Sequence, residues 1–378
     1  MMHNHMYEKP LHIISFDNPY PPVYGGIVEV YHKLKPLHDL GFSICLHCFV
    51  DDVQPPASEL TAVTSEAHFY KNDKNPLYLL SPIPFSVRSR NSRKLLTNLN
   101  RVDAPILFEG LKTTLAVHQD ALASKVKILR LHNIEHLYFA GIAKSERNFF
   151  RKLLFNLEAF KYKKYEDAMM SKFQKITTLS NYENDLVGHN AKFIPVFHGN
   201  EKVLKLDGTG KYALYHGDLR MSDNKRVVKL LVEIFKDIPD YPLVIASGTG
   251  AEFTRKLIGN SKNISYIKID NFPHLQQLLA DAHLNLIFSF QKSGTKLKLM
   301  NALYNSRFCI INENIIDDCR VVGLCEFAST KTEIIDKVKL LRNTPYTDHE
   351  RRAQVLEDEM NDKTNAVLLA ALIDDKWN

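Results

Sequence analysis

The feature that most constrains this chain is an alternation: short apolar runs recur, each followed by a stretch with helical spacing. In the first half the runs are LHIISF (11–16), ICLHCF (44–49), PILFE (105–109), KILRL (127–131) and KITTL (175–179). After AKFIPVFHG the pattern restarts with YALYHG (212–217), PLVIASG (242–248), ISYIKI (264–269), LNLIFSF (284–290) and FCIIN (308–312). Apolar runs alternating with helices predict parallel sheets with helices on both faces, the α/β class. Two rounds of the pattern predict two doubly wound units, and 378 residues accommodate two of about 180 each. Between them, NAKFIPVFHGNEKVLKLDGTGK carries Pro195, Gly199, Gly208 and Gly210 with few helical signals, so the boundary is expected near residues 190–210. Ligands of such units sit outside the carboxyl ends of their strands, which predicts a site in the cleft between the two.

Composition narrows the class of partner. Hydrophobic residues at 45% and charged residues at 24% fit a globular protein, and no apolar run approaches the ~20 residues that span a bilayer. The start, MMHNHMYEKP, has neither a basic nor an apolar signal region, so a cytoplasmic location is expected, with the inner face of the membrane as a possible site of contact. Five cysteines, an odd number, fit reduced thiols, and Cys45 and Cys48 form a C-x-x-C inside an apolar run that reads as core. The net charge of +6 lies mostly in the first 200 residues; it is too dilute for a nucleic-acid binder and suits an anionic ligand or membrane surface.

Four segments carry chemistry. In FDNPYPPVYGGIVEVYHKLKPLHDLG, Gly25-Gly26 sits where a strand gives way to a helix marked by Ile27, Val30, Tyr31, Leu34 and Leu37. Glycine there lets an anion reach backbone N–H groups at a helix N-terminus, although a plain glycine turn would look the same; Pro36 predicts a kink or early stop. RLHNIEHLYF matches H-x-x-E-H through His132, Glu135 and His136, so zinc has to be weighed against structural histidines and a polar cluster facing the cleft. His132 ends a strand and no partner carboxylate stands out, so the polar cluster is preferred, with His132 and Glu135 as its candidate catalytic residues and no metal. The helical stretch 145–173 interleaves Phe149, Phe150, Leu153, Leu154, Leu157 and Phe160 with Arg151, Lys152, Lys161, Lys163 and Lys164, either a solvated surface helix or a contact to anionic lipid. Finally, FSFQKSGTKLKLMNAL runs from a strand through Ser293-Gly294-Thr295 into a helix carrying Lys298, a small-residue loop and ammonium suited to a diphosphate, or simply a capped helix. Gly248 and Gly250 in ASGTGAEF make a weaker G-x-G.

Taken in order, PYPPVYGGIVEVYHKLKPLHDLG, ILRLHNIEH with the helix reaching KKYED, KITTLSNYENDL, YALYHGDL, PLVIASGTG and SGTKLKLMNAL resemble the GT-B glycosyltransferases, and among them the large retaining group called family 4. The likeness runs over most of the chain. It implies two Rossmann-like domains facing a cleft: residues 1–192 on the acceptor side, 193–358 binding a nucleotide-sugar donor, and 359–378 as a C-terminal helix returning to the first domain. It implies that Gly25 and Gly26 lie against the donor diphosphate, that His132 lies near the reacting centre, and that Arg220 or Lys225 supplies phosphate charge. Ser293, Gly294, Thr295 and Lys298 would line the diphosphate from the other side. The implied substrates are a nucleotide-diphosphate sugar and a glycan or lipid-linked acceptor, with no cofactor and no nucleic acid. One departure stands out: the group's two glutamates eight positions apart fall on Ser293 and Asn301, so the donor ribose would meet a neutral amide. That departure motivates a second reading, a degenerate protein acting as a binding or scaffold subunit in glycan assembly; a zinc hydrolase on His132 and His136 is a remote third.

Overall fold

The computed structural model describes residues 9–146, 148–188, 191–292 and 297–374. Its strands form two wholly parallel sheets. The first contains β1 (Lys9–Ser15), β2 (Phe42–Val50), β3 (Glu66–Lys71), β4 (Ile106–Glu109), β5 (Lys127–Arg130), β6 (Lys175–Thr178) and β7 (Ala191–Phe193), ordered β3-β2-β1-β4-β5-β6-β7. The second contains β8 (Tyr212–His216), β9 (Leu243–Ser247), β10 (Ile264–Lys268), β11 (Ala282–Ile287), β12 (Phe308–Ile311) and β13 (Glu326–Phe327), ordered β10-β9-β8-β11-β12-β13. All ten apolar runs are strands. The three strands the runs did not announce, β3, β7 and β13, are edge strands; half-exposed edges need no apolar run.

The helices that matter for the site are α1 (Gly25–Asp39), α2 (Glu135–Ser145), α3 (Phe149–Met169), α4 (Asn181–Val187), α5 (Ser222–Lys236), α6 (Leu297–Asn305) and α7 (Asp362–Asp374). Adjacent strand residues point to opposite faces, so Ile13 packs with Leu34 and Leu37 of α1 while Ile14 packs with Tyr162, Tyr165 and Met169 of α3. The second sheet is covered likewise, by Val227, Leu231 and Phe235 of α5 on one face and Leu299, Ala302 and Leu303 of α6 on the other. Helix α1 passes Pro36 and stops one turn later, where Gly41 takes a left-handed φ of 87°. Cys45 and Cys48 lie buried in β2, and all five cysteines are free.

Residues 194–211 connect the sheets, and the chain returns through α7, which packs on α1. The connection is held by side chains where regular structure is absent. Asp362 accepts from the N–H groups of His198 (2.9 Å) and Gly199 (2.8 Å), Asn365 donates to the Val196 carbonyl (3.0 Å), and Glu29 accepts from Phe197 N–H (2.6 Å). The last four residues of the expected C-terminal helix, 375–378, lie outside the described residues. Among the described residues no helix is long and apolar enough to cross a membrane.

Candidate active site

In a doubly wound sheet the crevice opens where the strand order reverses. In the first sheet that point lies between β1 and β4, in the second between β8 and β11. Phe16 lies in the loop after β1, Gly25-Gly26 open the helix that this loop leads into, Glu109 ends β4, and His132 lies in the loop after β5.

Gly25 and Gly26 open α1, and no side chain caps that N-terminus. A Cβ on Gly26 would fall 2.8 Å from the Phe16 ring and 3.7 Å from His132 Nδ1; one on Gly25 would fall 3.7 Å from Leu297 of α6. Gly25 therefore faces the second unit, at Leu297, the first residue of α6, while Gly26 faces Phe16 and His132. Ser293, Gly294 and Thr295 themselves lie outside the described residues.

His132 is buried, its ring edge-on to Phe16 at 5.4 Å between centroids. Its Nε2 is 2.7 Å from Glu109 Oε2; a carboxylate accepts, so Nε2 carries the hydrogen and Nδ1 is the atom turned toward Gly26. Glu109 is one member of a fully buried charge cluster. Lys33 Nζ bonds Glu109 Oε1 and lies 3.1 Å from Glu29 Oε1; Arg130 Nε donates to the same Glu29 oxygen at 2.9 Å and its Nη atoms to the carbonyls of Ile194 and Pro195, both at 2.9 Å. Burial pushes both carboxyls up, but Arg130 and Lys33 beside Glu29, and Lys33 and His132 beside Glu109, hold them below the usual carboxylate range. Sequence reading found His132 but not Glu29, Lys33, Glu109 or Arg130.

Glu135, in the first turn of α2, is buried with Lys112 Nζ 3.5 Å from Oε1 and no partner for Oε2. The carboxylate that holds His132 is thus Glu109. His136 turns away to Glu166 of α3, which it binds through Nδ1 and its backbone N–H, so H-x-x-E-H does not converge on one point. The group with metal-ligand spacing among the described residues is instead Glu29, Glu109 and His132, with ligand atoms within 4.8 Å of one another. Lys33 already stands between those two carboxylates, so their donor set fits an ammonium better than a divalent ion.

Across the cleft, Lys298 reaches the second crevice: its Nζ donates to the Phe288 carbonyl (3.0 Å) and lies 5.3 Å from the Tyr215 ring. Beside it His216, at the end of β8, is buried with no partner for Nε2; burial and the Lys298 charge push its pKa down to about 3. Arg220 is exposed and clasped bidentately by Asp218, with Nε–Oδ1 at 3.1 Å and Nη2–Oδ2 at 2.7 Å. Lys225 lies over the Phe253 ring. Asn301 accepts at Oδ1 from Asn200 Nδ2 (3.1 Å), which leaves its NH₂ as the group it can offer a ligand.

The units touch around the cleft. Asp317 accepts from the N–H groups of Asn181 (3.1 Å) and Tyr182 (2.6 Å), a carboxylate from the second unit at the N-terminus of α4, and a Cβ on Gly141 of α2 would fall 2.7 Å from Gln291.

Two parallel α/β sheets facing a cleft, closed by a C-terminal helix packed on α1, define the GT-B glycosyltransferase fold. Solved structures agree along nearly the whole chain. OtsA (apo) superposes with a TM-score of 0.66 at 9% identity over 98% of this chain and all of that one. The pneumococcal O-GlcNAc transferase GtfA, in complex with UDP and GlcNAc, gives 0.64 at 10% identity over 98% and 99%. Anabaena Alr3699/HepE in complex with UDP-glucose gives 0.56 at 12% identity over 97% and 95%. In sequence, the chain is 26% identical over 322 residues to an uncharacterized 44.6 kDa protein in the cps region of Klebsiella pneumoniae, covering 79% of this chain and 81% of that protein. No protein-family model matches the chain.

Proposed function

We propose that this protein is a retaining glycosyltransferase that moves a hexosyl group from a nucleotide-diphosphate sugar to a glycan or lipid-linked acceptor during capsular polysaccharide assembly. The observation that carries the reading is the uncapped N-terminus of α1 at Gly25-Gly26, set beside His132 and opposite the start of α6. UDP in GtfA and UDP-glucose in HepE, and the cps-region setting of the relative, support the substrate and context. In this reading residues 1–192 hold the acceptor and 193–358 the donor. Charge developing on the leaving diphosphate is met by the α1 N–H groups, by Ser293, Gly294 and Thr295, and by Lys298, with Arg220 and Lys225 as outer cations. His132 orients the sugar through Nδ1, Glu135 lies in the same half of the cleft, and Asn301 donates to the ribose. The leaving phosphate takes the acceptor proton, so no further base is required.

Thermal stability against a panel of nucleoside diphosphates and their sugars tests this. At least one should raise the melting temperature of the wild type, and Gly26→Trp should abolish the rise; no response to any of them would sink the reading. In that event the scaffold reading gains, since Asn301 is already engaged by Asn200 within the fold.

A peripheral membrane contact has its own observation. The first half of α3 exposes Phe149, Phe150 (75%), Leu153, Leu154, Leu157 and Phe160, and the turn Pro76–Leu80 adds Leu77 and Leu80 (85%). Lys161 does not belong to that basic face as the sequence suggested: it is buried, donating to the Leu79 carbonyl at 2.7 Å and thereby tying the turn to α3. Arg151, Lys152 and Lys164 remain on the exposed side. Vesicles containing phosphatidylglycerol should bind the wild type and release R151E/K152E/K164E; failure of the wild type to float with them removes this contact.

A further inference from the structure

A second cavity opens over the carboxyl ends of β1, β2 and β3, beside the crevice and not in it. It measures about 290 Å³ and is lined by Asp17, Asp51, Asn72, Lys74 and Arg90 together with Phe16 and Phe85. Its polar groups are fixed in place. Arg90 donates from Nε (3.2 Å) and Nη2 (2.9 Å) to the Phe16 carbonyl and from Nη1 (2.5 Å) to that of Ser86. Asp51 accepts from Asn72 Nδ2 (3.0 Å) and Lys74 Nζ (2.5 Å), and Asp17 accepts from Tyr24 O–H (2.8 Å). Asn72 Oδ1 is buried without a partner, and each carboxylate and the guanidinium retain unused positions.

Two carboxylates, a guanidinium and an ammonium balance in charge, so the cavity selects neither an anion nor a cation. Planar groups with paired donors and acceptors, in a lining that also includes Phe16 and Phe85, suit the vicinal hydroxyls and C–H surface of a sugar ring. The volume is close to the lower end of ligand pockets, about 300 Å³. Phe16 joins this cavity to the reacting site: its ring is edge-on to His132 and under Gly26, while its carbonyl is gripped by Arg90. Phe16 is thus shared between the lining of this cavity and the surroundings of His132.

We propose that this cavity binds a neutral sugar residue of the acceptor, with Asp51, Asn72 and Arg90 as specificity-determining groups; the assignment rests on the transferase reading above. Saturation-transfer NMR with the methyl glycosides of glucose, galactose, rhamnose and N-acetylglucosamine tests it on the full chain. At least one glycoside should bind the wild type, and Asn72→Leu should weaken it about tenfold, the effect of losing one good hydrogen-bonding group. If N72L does not fold by circular dichroism, Asp51→Asn, which keeps the shape, carries the same expectation. No binding by the wild type, or binding that folded variants leave unchanged, overturns the assignment. Nucleoside diphosphate stabilisation of the same proteins separates the two ideas. Glycoside binding without nucleotide binding leaves the cavity standing and removes the transferase, and nucleotide binding without glycoside binding does the reverse.

Discussion

Lys33→Met probes the charge cluster behind His132 directly. Lys33 is fully buried between Glu29 and Glu109. Its removal leaves Glu29 with Arg130 at 2.9 Å and Phe197 N–H at 2.6 Å, but leaves Glu109 with His132 alone. At an effective dielectric of about 20, a unit pair separated by the 3.1 Å between Lys33 and Glu29 attracts by roughly 5 kcal/mol, and breaking one side of a buried pair typically costs about 3–5 kcal/mol. K33M should therefore lose about 4 kcal/mol, a large share of a stability of roughly 5–15 kcal/mol. Urea titration followed by circular dichroism on wild type, K33M, E109Q and K33M/E109Q reads it, and the double variant should lose less than the sum of the singles by about 2 kcal/mol. The pH dependence supplies a second check. In the wild type Lys33 and His132 hold the Glu109 carboxyl down against burial. Without Lys33 burial wins, the folded pKa rises above the unfolded one, and K33M regains stability as pH falls through it, so its deficit should shrink from about pH 8 to about pH 5. A deficit below about 1 kcal/mol that is the same at both pH values would refute the reasoning.

Two further outcomes follow from buried groups. Burial and the neighbouring His198 charge push His32 down to about 4, and His216 lies at about 3, so both stay neutral in the fold while the unfolded chain takes up protons below about 6.5; each should remove roughly 2 kcal/mol of stability between pH 6.5 and pH 5, read by urea titration, a window in which the depressed Glu29 carboxyl stays ionised. Gly199→Ala places a Cβ 2.2 Å from the His32 ring at a φ of +75° and should cost about 2–4 kcal/mol, of which H32A/G199A recovers only the steric part; full recovery would show that the backbone angle carries no strain.

Much of the fold was legible because buried parallel strands must be apolar and their connecting helices periodic. The nine central runs met that condition, and the edge strand β10 still carried enough apolar residues to be read; β3, reading EAHFYK, and β13, with two residues, did not, because an edge strand shares its burial with solvent. The candidate site was legible in part. Gly25-Gly26 open the helix that follows β1 and His132 follows β5, on the side of a doubly wound sheet where ligands collect. Glu109 and Lys33 are 76 residues apart and Arg130 and Glu29 are 101 apart, so no local pattern joins them. One signal was present: Glu29 and Lys33 fall on the buried stripe of α1 beside Val30 and Leu34, and Glu109 and Arg130 end apolar strands. Charges where the period demands apolar residues mark a buried network before its partners are known.

That network is better explained by geometry than by stability. A buried ion pair repays its desolvation poorly, and apolar residues of similar volume often do as well. Apolar residues could not, however, bond the groups this cluster bonds: Phe197 N–H, the carbonyls of Ile194 and Pro195, and His132 Nε2. Three of those belong to the segment joining the two sheets and the fourth to the ring that faces Gly26. The same four charges thus fix where the chain leaves the first sheet and how His132 is turned. A substitution that relaxes Glu29 and Arg130 loosens the connection, and through Lys33 and Glu109 it also frees the imidazole. Replacing the cluster with a well-packed apolar set should accordingly leave a folded first sheet whose His132 no longer holds one orientation.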